Sequence, residues 1–297
     1  MGAYAPRFWL SWLIVGLSWL LAKIPARAQS RIARGLAKLC ANTGLLRSQI
    51  IRRNIERCFP ELEAREKDAL VEENLYSTVL CLFDLLVMVW GQREDILERG
   101  EIIGEQYLRD ALARDEPLIL VSGHSTPFLL GLAKLTEITP FAAVYRRMDN
   151  PVLEAQLYQR AAKNYPIETI HRKEIPRMLN RLADTSMVAI LPDQDFGVNR
   201  GTFIDFFGIK TATITAIPQY ARSANARVIL GITHRKPNGG YALELKPALE
   251  NYPSGDDVAD TVTWSNWLEG FIREHPADYF WIHKRFKTRP PGEGKFY

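Results

Sequence analysis

The segment Val121-Ser122-Gly123-His124-Ser125-Thr126-Pro127-Phe128-Leu129-Leu130 carries the residue best suited to chemistry, His124. An imidazole takes and returns a proton near neutral pH, as a general base must. The residues before it, 118–121, are a short apolar run with β-branched members entered through Pro117, which reads as a buried strand. Thr126 is a candidate cap for a helix whose first residue is Pro127. His124 is therefore expected at the carboxyl end of a strand and beside a helix N-terminus. An α/β fold gathers reactive side chains there, with unpaired backbone N–H groups to receive an anion. A histidine base is usually oriented by a carboxylate, and no acid lies between Glu116 and Glu137.

Four other segments fall at similar junctions. Tyr145-Arg146-Arg147-Met148-Asp149-Asn150-Pro151 offers two guanidinium groups suited to an anionic ligand such as phosphate, or a solvated helix entrance. Leu191-Pro192-Asp193-Gln194-Asp195-Phe196-Gly197 follows a second buried strand. Its Asp193 and Asp195 could hold a divalent metal, as in many nucleotide-sugar transferases, or be ordinary loop acids. Residues 203–208 are apolar and aromatic enough to line a channel. Residues 281–290 set four cations among aromatics. His171, His234 and His275 have no partner at ligand spacing and read as surface residues.

These segments need a scaffold. Helical spacing over 23–57 is followed by 63–90, which reads as two helices. From residue 102 strand and helix alternate. Helices are predicted at 107–114, 127–136, 151–163, 174–183, 212–224 and 261–274. Strands are predicted at 118–122, 141–145, 167–170, 187–191 and 227–233. The turn Pro237-Asn238-Gly239-Gly240 pairs the last of these with 241–245 as a hairpin, and 279–282 is a further candidate strand. The pattern predicts an α/β fold, a mixed sheet covered by helices on both faces. An anchor over 1–25 precedes a single domain over 26–297, whose first part, 26–100, is helical.

At 47% hydrophobic and 24% charged residues, the 297-residue chain can bury an ample core. Its net charge of +4 is uneven: residues 1–60 carry +9 and the rest −5. This basic part adjoins the most apolar stretch, Phe8 to Ala22, which points to a membrane surface rather than nucleic acid. As a helix, those residues span about 22 Å, short for a comfortable crossing. Trp9, Trp12 and Trp19 favour an interfacial or tilted anchor, against a signal peptide or a core helix. Nine cations follow the run within the first 60 residues, so the positive-inside rule keeps the body cytoplasmic. Cys40, Cys58 and Cys81 have no disulfide or zinc spacing and read as reduced thiols.

Taken together, the apolar N-terminus, Arg52-Arg53-Asn54-Ile55-Glu56-Arg57-Cys58-Phe59-Pro60 and the segments above resemble the late acyltransferases of lipid A biosynthesis, in the lysophospholipid acyltransferase superfamily. The likeness covers nearly the whole chain. It implies an enzyme on the cytoplasmic face of the inner membrane, with no cofactor and no metal. Such an enzyme moves an acyl group from acyl carrier protein to a hydroxyl of lipid A or its precursor. His124 would be the base. Helix N–H groups or Arg146 would serve the oxyanion, and Arg146, Arg147, Arg285, Lys287 and Arg289 the lipid phosphates. Phe128, Leu129, Phe203, Phe206 and Phe207 would line the acyl slot.

One departure stands out. The family pattern is a histidine, four residues, then Asp or Glu, and that last place here is Leu129. Three readings follow. An acid from elsewhere, Asp149, Asp193 or Asp195, orients His124. Or the donor differs, as in a related lipid A glycyltransferase whose aminoacyl thioester is more electrophilic. Or the chain binds a glycolipid without catalysis. A metal-dependent glycosyltransferase using Asp193 and Asp195 is the alternative from another class.

Overall fold

The computed structural model describes residues 4–184 and 187–297; the first three residues of the predicted anchor lie outside them. Among the described residues, nine strands form two sheets. They are β1 (Gly100–Ile103), β2 (Leu118–Val121), β3 (Phe141–Tyr145), β4 (Ile167–His171), β5 (Met187–Ile190), β6 (Gly201–Phe206), β7 (Ile209–Ile214), β8 (Arg227–Arg235) and β9 (Tyr241–Leu245). The large sheet has the order β1-β9-β8-β2-β5-β3-β4, and β6 and β7 form a separate hairpin. All pairs in the large sheet are parallel except β8 with β9, so the sheet is mixed.

Alternation along the central strands sends side chains to two faces. Ile119, Val121, Val188, Ile190, Val228 and Leu230 enter one cluster with Val71 and Leu75 of Ala64–Trp90, Met178 and Leu182 of Ile175–Ala183, and Trp264 and Leu268 of Asp257–Glu274. Leu118, Leu120, Met187, Ala189 and Ile229 enter the other, with Leu108 of Glu105–Leu112 and Leu135 of Phe128–Leu135. Both faces are covered by helices. Helix Phe128–Leu135 sits close on the sheet because residue 131 is glycine. A Cβ there would come within 1.8 Å of Thr233 Oγ1.

Several expectations change. Residues 64–90 form one continuous helix, not two, opened by a capping box between Glu63 and Glu66. Residues 212–214 belong to β7 rather than to a helix, which spans only Ala216–Ala224. Thr126 makes no helix cap; it joins a buried network with Ser77 and Asp278 instead. Residues 279–282 form no strand; a single bridge pairs Tyr279 with Ser125.

Helix Trp9–Ala22 lies against Ala64–Trp90. Its buried residues are Ser11, Val15 and Ser18. Trp90 Nε1 donates to Ser18 Oγ at 2.9 Å, and Asn150 Nδ2 to Ser11 Oγ at 2.8 Å. Trp9, Leu10, Leu13, Leu17, Trp19 and Leu20 are all exposed. Apart from Val15, the helix thus turns its hydroxyls inward and most of its apolar side chains out, the reverse of a core-facing helix.

Candidate active site

Two neighbouring strands set the site. β2 and β5 are parallel with Val121 opposite Ile190. Three residues beyond each strand end stand His124 and Asp193, so the register that buries both strands also brings imidazole and carboxylate together.

Asp193 Oδ1 lies 2.6 Å from His124 Nδ1, and Oδ2 accepts the His124 backbone N–H at 2.9 Å. An ionised carboxylate only accepts, so the ring proton sits on Nδ1 and leaves Nε2 with its lone pair. Tyr279 donates its hydroxyl to Oδ2 at 3.0 Å. Burial opposes the charge on Asp193, but His124 above all, with Arg285, holds its carboxyl down at about 2. Asp193 is buried while the His124 side chain keeps 22% of its exposure, so the ring reaches solvent from a fixed base. Phe128 and Phe280 flank it, with ring centroids 5.8 and 6.4 Å away. Beside Phe128 is a cavity of about 10 Å³ also lined by Leu120, Ser122, Leu132 and Leu191.

The other acids do different work. Asp195 accepts from Gly197 N (2.8 Å), Thr288 N (2.7 Å) and Thr288 Oγ1 (2.9 Å), which fastens its loop to the C-terminal segment. Asp149 is exposed and pairs with Arg146 at 3.4 Å. Leu129 packs with a cluster containing Met88, Val89 and Leu157. Among the described residues no group of three or more His, Cys, Asp or Glu side chains is arranged to hold a metal ion.

The residues proposed for phosphate fall into two groups. Arg146 and Arg147 are exposed just beyond β3, with Arg147 3.8 Å from Glu174, and Lys287 is exposed as well. Arg285 is not available to a lipid phosphate. It is 2% exposed and donates to Gln194 O (3.3 Å), Ala212 O (2.7 Å) and Thr213 Oγ1 (2.6 Å). Its aromatic neighbours bury it, and that burial lowers its pKa. Arg289 is mostly covered, held by Lys210 O at 2.6 Å and by Glu293. Phe203 is half-buried on β6. Phe206 and Phe207 do not face a slot: they are core residues packed edge-on or tilted among Phe59, Tyr279, Trp281 and Phe286.

Sequence reasoning missed Tyr279 and the way residues 276–289 close the site. Phe280 N donates to His124 O at 2.9 Å and Thr126 N to Asp278 O at 2.6 Å. The His283 ring accepts the Asp195 N–H at Nε2, 3.3 Å away, and burial lowers its pKa to about 4. Two buried asparagines hold this segment by its carbonyls. Asn74 Nδ2 donates to Ala277 O and Tyr279 O, and Asn54 Nδ2 to Trp281 O and His283 O. Asn54 lies in the 52–60 segment, which thereby has a physical task. The signal in the sequence was the register: counting three residues past each of two adjacent strands pairs His124 with Asp193.

Comparison with known proteins places the chain among relatives of similar length. The lipid A biosynthesis lauroyltransferase of Escherichia coli (strain K12) is 34% identical over 292 residues, covering 97% of this chain and 94% of that protein. The palmitoleoyltransferase of the same strain is 28% identical over 295 residues, 98% and 95% of the two chains. Its myristoyltransferase is 24% identical over 296 residues, 97% and 90%. The profile of the bacterial lipid A biosynthesis acyltransferases matches residues 3–288. With the match running from the apolar helix through the His124 and Asp193 loops to Thr288, the chain belongs to the bacterial lipid A biosynthesis acyltransferase family.

Proposed function

We propose that the protein transfers a fatty acyl group from an acyl carrier protein thioester to a hydroxyl of lipid A or a lipid A precursor, with His124 as general base. The observation that supports this reading is the His124–Asp193 pair on adjacent strand ends, partly open to solvent. Nε2 takes the proton of the acceptor hydroxyl as its oxygen bonds to the thioester carbon. The tetrahedral oxyanion collapses, the C–S bond breaks, and the imidazolium returns the proton to the departing sulfur. Asp193 holds the tautomer and stabilises the imidazolium, the role of the acid in a catalytic triad. Arg146, Arg147 and Lys287 are the exposed cations that would meet the phosphates of the acceptor. Phe128 would flank the entry of the acyl chain.

The aminoacyl-donor and binding-only readings drew their support from a base with no acid. Asp193 supplies that acid, so neither gains from the geometry. The metal-dependent reading is no better served, because Asp193 and Asp195 are both engaged by protein donors.

In this reading the outward apolar face of Trp9–Ala22 rests in the cytoplasmic leaflet of the inner membrane, where the acceptor lipid is found. The test uses purified full-length chain, an acyl carrier protein loaded with a fatty acid, and a lipid A precursor, with mass spectrometry of the product. His124→Ala should reduce turnover by about 10²–10⁴. An unchanged rate, or transfer of an amino acid in place of a fatty acid, overturns the proposal.

A further inference from the structure

The helix Ala26–Thr43 is unlike the first. It packs on Ala64–Trp90 through the buried residues Gln29, Ala33, Ala37 and Cys40. Beside that seam runs a second row, Ile32, Leu36 and Leu39, which are 40%, 40% and 54% exposed. Residues three and four apart share a side of a helix, so these form one apolar stripe that the body leaves open. The helix carries Arg27, Arg31, Arg34 and Lys38 and no acid. Arg34 is committed to Glu73 and to the face of Tyr76. Arg27, Arg31 and Lys38 are exposed, without an ion pair among the described residues. An exposed apolar stripe on a helix with only positive charge complements anionic lipid headgroups over an acyl layer.

The first two helices meet at a bend of 119°, so they do not make one straight span. Two axes that meet define a plane, and both helices can lie on one flat surface. We propose that Ala26–Thr43 is a second, in-plane membrane contact that binds anionic lipid through Ile32, Leu36, Leu39, Arg27, Arg31 and Lys38. This rests on the membrane placement of the first helix proposed above. Because the second helix is packed on the body, this contact fixes how the body sits on the lipid.

The test labels the full chain with an environment-sensitive fluorophore at Leu36→Cys, and separately at Leu13→Cys on the first helix. The native cysteines are buried, and unmutated protein gives the labelling background. Each protein is added to vesicles of phosphatidylcholine with or without phosphatidylglycerol, containing lipids that carry a quencher at headgroup or mid-chain depth. The expected result is a blue shift of both labels. The Leu36→Cys label should be quenched most from headgroup depth, and only with phosphatidylglycerol present. Arg31→Gln and Lys38→Gln should each weaken that phosphatidylglycerol-dependent response about fivefold. A blue-shifted Leu13→Cys label beside an unshifted Leu36→Cys label overturns this inference and leaves the first helix in the membrane. If neither shifts, the membrane reading fails with it. A Leu36→Cys label shielded before lipid is added, or responding equally without phosphatidylglycerol, also overturns it.

Discussion

Asp193 satisfies two groups of the same residue, the backbone N–H and the ring of His124, and takes a third bond from Tyr279. Loss of its charge should remove the tautomer control while leaving the packing almost intact. Asp193→Asn is therefore expected to lower kcat about 10⁴-fold, measured on the purified protein, with little change in KM. The Tyr279 hydroxyl withdraws basicity from the same carboxylate. Tyr279→Phe should leave Asp193 a stronger acceptor for the His124 ring N–H. Turnover of the purified variant should therefore fall far less than that of Asp193→Asn. At position 129, Leu129 packs among apolar neighbours, and His124 Nδ1 is already paired with Asp193. Leu129→Glu should give no gain in rate and should lower the thermal midpoint, because an unpaired carboxyl enters the cluster with Met88 and Leu157. A rise in turnover would show that position 129 still serves the base.

Among the elements, those governed by burial were legible in the sequence and those governed by partners were not. The continuous apolar runs of β2 and β5 announce strands buried on both sides. The Pro237–Gly240 turn announces the β8–β9 pairing, which makes the sheet mixed. The β6–β7 hairpin was missed because its turn falls at Phe207-Gly208, both at positive φ (55° and 67°). A phenylalanine rarely adopts that conformation, and here tertiary contacts stabilise it: its ring is buried beside Phe59 and Trp281, and its N–H donates to Glu269 at 2.6 Å. Without that turn, 212–224 reads as one helix. In the site, His124 and the Asp193 loop were legible as strand-end residues. Arg285 was misread because a cation among aromatics looks like a surface patch, and nothing local shows that Ala212 O and Thr213 Oγ1 await it.

For the whole molecule, the charge on Asp193 is also a bond between parts of the fold, since it ties the β5 loop to the β2 loop and to Tyr279. Its carboxyl is held at about 2 against an ordinary 3.8, so the unfolded chain takes up the proton first. The resulting stabilisation is complete above about pH 4 and is lost as pH falls toward 2, roughly 2 kcal/mol in all. Urea midpoints followed from pH 5 to 2 should fall more steeply for the native protein than for Asp193→Asn; parallel curves would contradict the assignment. The closing of the His124 and Asp193 loops by residues 276–289 has a further consequence. During synthesis, β2 and β5 are made long before Tyr279 and Thr288 can reach them, so the imidazole has no finished cradle while most of the chain already exists. A nascent or truncated protein could settle on lipid through its apolar N-terminal helix and still be silent, and reactivity would begin only when that late segment is stitched down.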